Sequence, residues 1–245
     1  MDLKLRLDGL ISRAIQVKPV LLRGARAVAS ITFDDFPKSA WVQGGPVLER
    51  RGVRGTYYTA GVFCGRTEDG TVFYDKQDLL ALAAEGHEIG CHSFGHRSSP
   101  KLSAGALAED FRRNGEFLED VLGGPSLESF AFPFGHASVT TKRFYADRFS
   151  SVRGVRYGVN EGQVDLAQLR VVPLEIRRWN QKRIDAAIER AVQSRGWLIF
   201  YTHDVSESPS PYGSTPAMLD WALARAAATM QILPVREALP VALGN

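Results

Sequence analysis

The sequence predicts a single-domain α/β protein, a (β/α) barrel of seven or eight units, and three observations predict it. Short runs rich in β-branched and aromatic residues alternate with longer amphipathic ones along the 245-residue chain. That alternation is the pattern of parallel strands joined by crossover helices. No composition shift or Pro/Gly/Ser-rich linker divides the chain, so one domain spans 1–245, with its core at about 27–235. No G-x-G-x-x-G follows the first strand, which disfavours an open dinucleotide-binding sheet as the alternative.

In chain order, the first strand is expected over 27–33, an apolar run that ends in Asp34-Asp35. Further strands are expected over 55–59, 88–91, 129–132, 152–155, 169–174 and 197–202, with a late one around 231–235. Between them, 76–85 places Leu79, Leu80, Leu82 and Ala83 at helical spacing ahead of Gly86, a suitable residue just past a helix end. The segment 103–122 opens on Ser103 as an N-cap and aligns Leu107, Phe111, Leu118 and Leu122 on one side, a core-packing stripe. Segments 182–194 and 216–229 are also helical in pattern. Cys91 alternates to the side opposite His92 and reads as a small buried side chain.

The bulk numbers exclude several classes. With 44% hydrophobic and 23% charged residues the chain has an ordinary globular composition. A net charge of +3, with Arg50-Arg51 and Arg177-Arg178 as isolated doublets, lacks the concentrated basic face that tracks a phosphate backbone, so no nucleic acid is expected as partner. The N-terminal residues alternate charged with apolar side chains, and no later run is apolar enough to span a bilayer. No signal peptide or transmembrane segment is therefore expected, and the reading is cytoplasmic. Cys64 and Cys91 fit that compartment as free thiols.

Chemistry in such barrels collects at the C-terminal ends of the strands, and four of those ends carry unusual residues. They are Asp34-Asp35, the stretch from His92 to His96, Phe132-Pro133-Phe134-Gly135, and His203-Asp204. His92 and His96 are four apart, and Gly95 between them eases a curl that turns both imidazoles to one point. Two imidazoles and a carboxylate with positions left open form a catalytic zinc arrangement; iron, cobalt, nickel or manganese suit the same donors. A cation beside Asp35 offsets the repulsion between adjacent carboxylates, so that one can serve as ligand and one as base. His203, across the rim, is the candidate general acid. The loop 209–213, with Tyr212, is a candidate lid or substrate wall.

Taken together, TFDD at 32–35, HSFGH at 92–96, FAFPFG at 130–135 and IFYTH at 199–203 resemble four motifs of the polysaccharide deacetylases with the NodB-homology domain, carbohydrate esterase family 4. The resemblance implies a deformed (β/α) barrel of NodB-homology type and a metal-dependent hydrolase that removes an N-acyl group from an amino sugar. By motif position Asp34 would be the catalytic base, and Asp35, His92 and His96 would hold a divalent ion, zinc first. His203 would protonate the leaving amine, and the backbone N–H of Phe134 would bind the oxyanion. Pro133, Phe134 and Tyr212 are the expected substrate contacts. The expected setting is surface-polysaccharide or cell-envelope glycan biosynthesis, with an N-acylated amino sugar or glycan as substrate. Alternatives are a deformylase of a nucleotide- or lipid-carried sugar, an amidase on a non-sugar C–N bond, and a non-catalytic carbohydrate-binding barrel. The chain departs from the family pattern at Phe36 and Pro37, at Ala131 where an Arg is common, and at Phe134 where Tyr is usual. No segment matches the family's fourth motif; Arg170 and Glu175, within 169–179, are the candidates for it.

Overall fold

A computed structural model describes residues 3–124 and 127–245 of the chain. The seven apolar runs form parallel strands: β1 (Val28–Phe33), β2 (Thr56–Thr59), β3 (Glu88–Cys91), β4 (Ser129–Ala131), β5 (Ser151–Tyr157), β6 (Leu169–Pro173) and β7 (Trp197–Thr202). Each pairs with the next, and β7 returns to pair with β1 from Trp197↔Val28 to Thr202↔Phe33. The sheet is thereby a closed seven-stranded barrel within a single domain. Its deformation lies beside β1. β2 covers only the upper half of that strand, at Thr32 and Phe33. The short strand Gln231–Ile232 covers the lower half, at Val28 and Ala29.

Strand alternation sorts the apolar residues into layers. Ala29, Ile31 and Phe33 of β1 and Leu198 and Phe200 of β7 face outward, where they pack with Leu79, Leu82, Ile188 and Leu219 of the surrounding helices. Val28, Val171, Trp197, Ile199 and Tyr201 face inward. A third cluster, including Cys91, Leu107 and Phe130, covers the outside of β3 to β5. Cys91 and Cys64 are both free thiols, with Cys91 buried.

The helices follow their sequence signals. Lys76–Ala84 starts at an Asp75/Asp78 capping box, Ala104–Leu122 at Ser103 with Gly123 left-handed beyond its end, Gln181–Ser194 at Asn180 and Pro216–Ala227 at Thr215. Each cap satisfies backbone N–H groups that have no partner inside the helix.

The elements outside the expected pattern include a helix Leu3–Ala14, an antiparallel pair of Pro19–Leu21 with Gln163–Asp165, and a helix Val235–Leu243. The expected strand at 231–235 therefore ends at Ile232, since Pro234 caps the helix that follows. Val235, Ala238, Leu239 and Ala242 of that helix join the inner cluster with Val28 and Trp197. The core accordingly runs past the expected limit at 235, because this helix plugs the bottom of the barrel. Its internal Pro240 hides it from a periodicity reading. Among the described residues no helix is long and apolar enough to cross a membrane.

The buried carboxylate near the floor of the barrel is paired. Glu88, buried, accepts hydrogen bonds from Ser129 Oγ, Thr56 Oγ1 at 2.9 Å and the Arg236 N–H at 2.8 Å. Burial pushes its carboxyl pKa up, and these donors pull against that rise. Two residues along the same strand from Glu88, Gly90 leaves room for the Tyr58 ring of β2: an added Cβ would sit 2.6 Å from two ring carbons. Gly90→Ala is therefore expected to destabilise the barrel by about 1–3 kcal/mol through overpacking, read as a lowered denaturation midpoint; an unchanged midpoint would refute this packing account.

Candidate active site

The closure of β7 on β1 brings the first functional residues together. The Asp34 N–H donates to the Thr202 carbonyl at 3.0 Å, so the two carboxylates and His203 leave the barrel side by side. Alternation aims Asp34, His92, Arg153, Glu175 and His203 inward from β1, β3, β5, β6 and β7. A regular strand would turn Asp35 outward. Instead its backbone is left-handed, with φ of 61°, and its side chain returns to the rim beside His92. Among the described residues, five of the seven non-glycine residues with positive φ lie around this rim: Asp35, Phe36, Ser93, His96 and Phe134. Such conformations cost free energy and persist where the surroundings impose them.

The loop after β3 is imposed by Asp110 of helix Ala104–Leu122. Its buried carboxylate accepts the N–H groups of Phe94 and Gly95 at 2.9 and 3.1 Å and pairs with Arg97 at 2.9 Å. The curl expected at Gly95 is made by Ser93 and His96 instead. Gly95 permits close approach, since a Cβ there would lie 2.9 Å from Asp110 Oδ1.

The curl points both imidazoles at Asp35. Its Oδ1 lies 3.2 Å from His92 Nε2 and 2.9 Å from His96 Nε2. These three donor atoms fall within 4.8 Å of one another, and the group could hold a metal ion. The Nδ1–H of His92 donates to the Ala131 carbonyl at 2.8 Å, which leaves the Nε2 lone pair facing the cluster. Asp35 Oδ1 is buried without a hydrogen-bond donor. Lone pairs converging on one point repel unless a cation lies between them, and a carboxylate with two imidazoles suits a divalent ion. Burial works to raise the Asp35 carboxyl pKa; where His92 and His96 carry protons on Nε2, their hydrogen bonds and charge outweigh it and hold the group well below the usual range. Burial pulls His92 down against the attraction of Asp35.

Asp34 has a different partner. Ala131 on β4 pairs in register with Arg153 on β5, and the buried Arg153 guanidinium forms an ion pair with Asp34 Oδ1. Arg153 also lies 4.6 Å from the Tyr58 ring centroid and 5.5 Å from that of Tyr201. The arginine missing at position 131 is thus supplied by the neighbouring strand. Reading along the motifs misses it; the detectable signal is a charged residue at an inward position of S-V-R-G-V.

His203 stands opposite. Its Nε2 is 3.9 Å from Asp35 Oδ2, and its Nδ1–H donates to the Tyr212 carbonyl at 3.3 Å. Burial lowers its pKa, and the carboxylates of Asp35 and Glu175 oppose that. Glu175 is buried, accepts the Tyr201 hydroxyl at 3.0 Å and pairs with Arg177 at 3.0 Å and Arg178 at 3.4 Å. Of the two candidates in 169–179, Glu175 therefore sits by His203. Arg170 is elsewhere, lining a separate cavity with Arg13 and Arg156.

The loop 209–213 buttresses His203. Asp204 accepts the Ser210 N–H at 2.8 Å, the Ile176 N–H donates to the Gly213 carbonyl at 2.7 Å, and the Arg177 guanidinium lies 3.9 Å over the Tyr212 ring. The Tyr212 ring is exposed. So is that of Phe134, whose centroid is 4.6 Å from that of His96, while Pro133 is buried.

Residues 23–148, just over half of the chain, match the sequence model of the polysaccharide deacetylase family. The chain belongs to that family. It is also 30% identical over 78 residues to the uncharacterized protein YlxY of Bacillus subtilis (strain 168), a match that covers 32% of this chain and 22% of that relative. The chain thus spans about a fifth of that relative's length. Among solved structures, a family 4 acetyl xylan esterase from Clostridium thermocellum in complex with a cobalt ion has a TM-score of 0.62 at 19% identity, over 87% of this chain and 91% of the other. Peptidoglycan deacetylase PdaC from Bacillus subtilis has 0.60 at 18%, over 89% and 92%. A CE4 family pseudoenzyme from Bacillus anthracis, BA3943, has 0.56 at 14%, over 89% and 66%. At these identities the likeness is one of fold.

In this polysaccharide deacetylase domain the Asp34–Arg153 pair has a measurable signature. Arg153→Met strands a buried carboxylate, with an expected cost of about 3–5 kcal/mol. Adding Asp34→Asn should restore most of the loss in a denaturant double-mutant cycle. Strictly additive effects would show that the two side chains do not act as a pair.

Proposed function

We propose that this domain is a metal-dependent hydrolase that removes an N-acetyl group from an amino sugar of a glycan, in building surface polysaccharide or cell-envelope glycan. One observation carries the reading. A carboxylate with its own buried guanidinium, a donor set fit for a divalent ion, and a histidine held by a backbone carbonyl share one rim.

Amide hydrolysis needs help at both ends of the C–N bond. Asp35, His92 and His96 are the proposed ligands, with zinc as the first choice and iron, cobalt, nickel or manganese as substitutes. A bound divalent ion supplies Lewis acidity to an acyl carbonyl and makes water a better nucleophile near neutral pH. Asp34, favoured as a carboxylate by Arg153, accepts the proton of the attacking water as general base. The Phe134 backbone N–H, in a residue held at φ of 58°, is the proposed oxyanion donor. His203 presents Nε2 to the rim while its Nδ1–H is engaged by Tyr212; it protonates the leaving nitrogen, releasing acetate and the free amine. Tyr212 and Phe134 offer exposed aromatic faces to a sugar ring.

The test is acetate release from N-acetylated glucosamine oligomers, with formate release from an N-formyl amino sugar in parallel. Acetate release that a chelator abolishes and added zinc or cobalt restores is expected. No release of either acid from any substrate with any of the five metals would overturn the reading.

Two variants separate the proposed roles. Asp34→Asn should lower kcat by about 10²–10⁴-fold and keep stoichiometric metal, whereas His92→Ala should lose metal and activity together. Metal loss in Asp34→Asn would contradict the division of labour between the two carboxylates.

A further inference from the structure

The helix Leu3–Ala14 is docked the wrong way round for a helix of a globular protein. Leu5, Asp8, Gly9 and Ser12 turn toward the body, while Leu3, Leu7, Leu10, Ile11 and then Ile15 face solvent, each between 42% and 80% exposed. Spacings of four, three and one place these side chains on one stripe. A helix that docked for hydrophobic gain would bury that stripe. This one is held by polar contacts at its C-terminal end instead. Buried Lys142 donates to the carbonyls of Ser12 and Ile15, both at 2.7 Å, and pairs with Asp165 at 2.6 Å.

The charges around the stripe are one-sided. The helix carries Arg6 and Arg13 on its exposed surface. Arg156 and Arg170, also exposed, line one cavity with Arg13. Among the described residues, the acids lining that cavity are paired and the helix's own Asp8 is turned away. Asp165 pairs with Lys142, Glu161 pairs with Arg190 at 2.7 Å, and Asp8 lies on the partly buried side of the helix.

We propose that helix Leu3–Ala14 docks this domain on an anionic lipid bilayer, with the leucine stripe at headgroup depth and the basic side chains at the lipid phosphates. Apolar residues on one face flanked by Lys and Arg are the pattern of a helix that lies in a membrane interface. A second copy of the chain is the weaker occupant. Twelve residues make a helix about 18 Å long and about 10 Å wide, so a helix-to-helix contact covers roughly 200 Å² per partner. That is well short of the ~800 Å² per partner of a stable interface. The inference stands on the helix alone and does not depend on the proposed catalysis.

The test is co-sedimentation of the full chain with vesicles of phosphatidylcholine containing a quarter phosphatidylglycerol, and with phosphatidylcholine alone. Binding to the anionic vesicles is expected. Leu7→Ser/Leu10→Ser should weaken it at least tenfold, and Arg6→Ser/Arg13→Ser should weaken it severalfold on the anionic vesicles only. Both variants should keep the thermal midpoint of the parent. A Leu10→Trp variant should show a blue-shifted emission on the anionic vesicles, which reports insertion independently of any change in helix stability. No vesicle binding by the parent, equal binding by the leucine variant, or a dimer that the leucine variant abolishes without vesicle binding would each overturn the proposal.

Discussion

The pairing of β7 with β1 is the constraint on which the site depends. Six consecutive register partners join the last barrel strand to the first. They place a histidine from residue 203 beside carboxylates from residues 34 and 35, about two thirds of the chain apart. Because the strands are parallel, their C-terminal ends share one rim. Because they alternate, the inward residue at each end is set by parity. Every contact of the candidate site follows from that closure, including the Asp34 N–H to Thr202 hydrogen bond that locks the two strand ends together.

Within that frame the problem is like charge. Two adjacent carboxylates at a buried strand end repel each other and lose hydration. The structure resolves this by turning them to different partners. Asp34 continues the strand and meets Arg153; Asp35 leaves it in a left-handed conformation and meets His92 and His96. The cost of a positive φ at Asp35 is what allows neighbouring residues, which a strand would send to opposite faces, to serve one site. A similar logic holds around His203. Glu175, with Arg177 and Arg178, lies in the place where no family motif could be recognised.

The helices at the two ends of the chain show two uses of the same kind of element. Val235–Leu243 buries its apolar side in the barrel floor. Leu3–Ala14 attaches through backbone carbonyls held by Lys142 and leaves its apolar side outside. Either helix carries an apolar face; only the tertiary contacts say whether that face is core or surface.

The residues by themselves determined the strand–helix alternation, the Ser103 cap and the polar residues at four strand ends. Those are local: a cap needs a side chain within three residues, and a strand end needs only an apolar run that stops. The metal-ligand candidates were legible for the same reason, since HSFGH lies in one short loop and the aspartate pair at the end of one strand. Arg153 was not, because its role depends on register with Ala131 across β4 and β5 and on the distance to Asp34 through the barrel interior. The curl at Ser93 and His96, the buttressing of His203 by loop 209–213, and the outward stripe of Leu3–Ala14 were also closed to a linear reading. Each is decided by which groups far apart in sequence compete for the same buried hydrogen bonds, and that competition exists only once the barrel has closed.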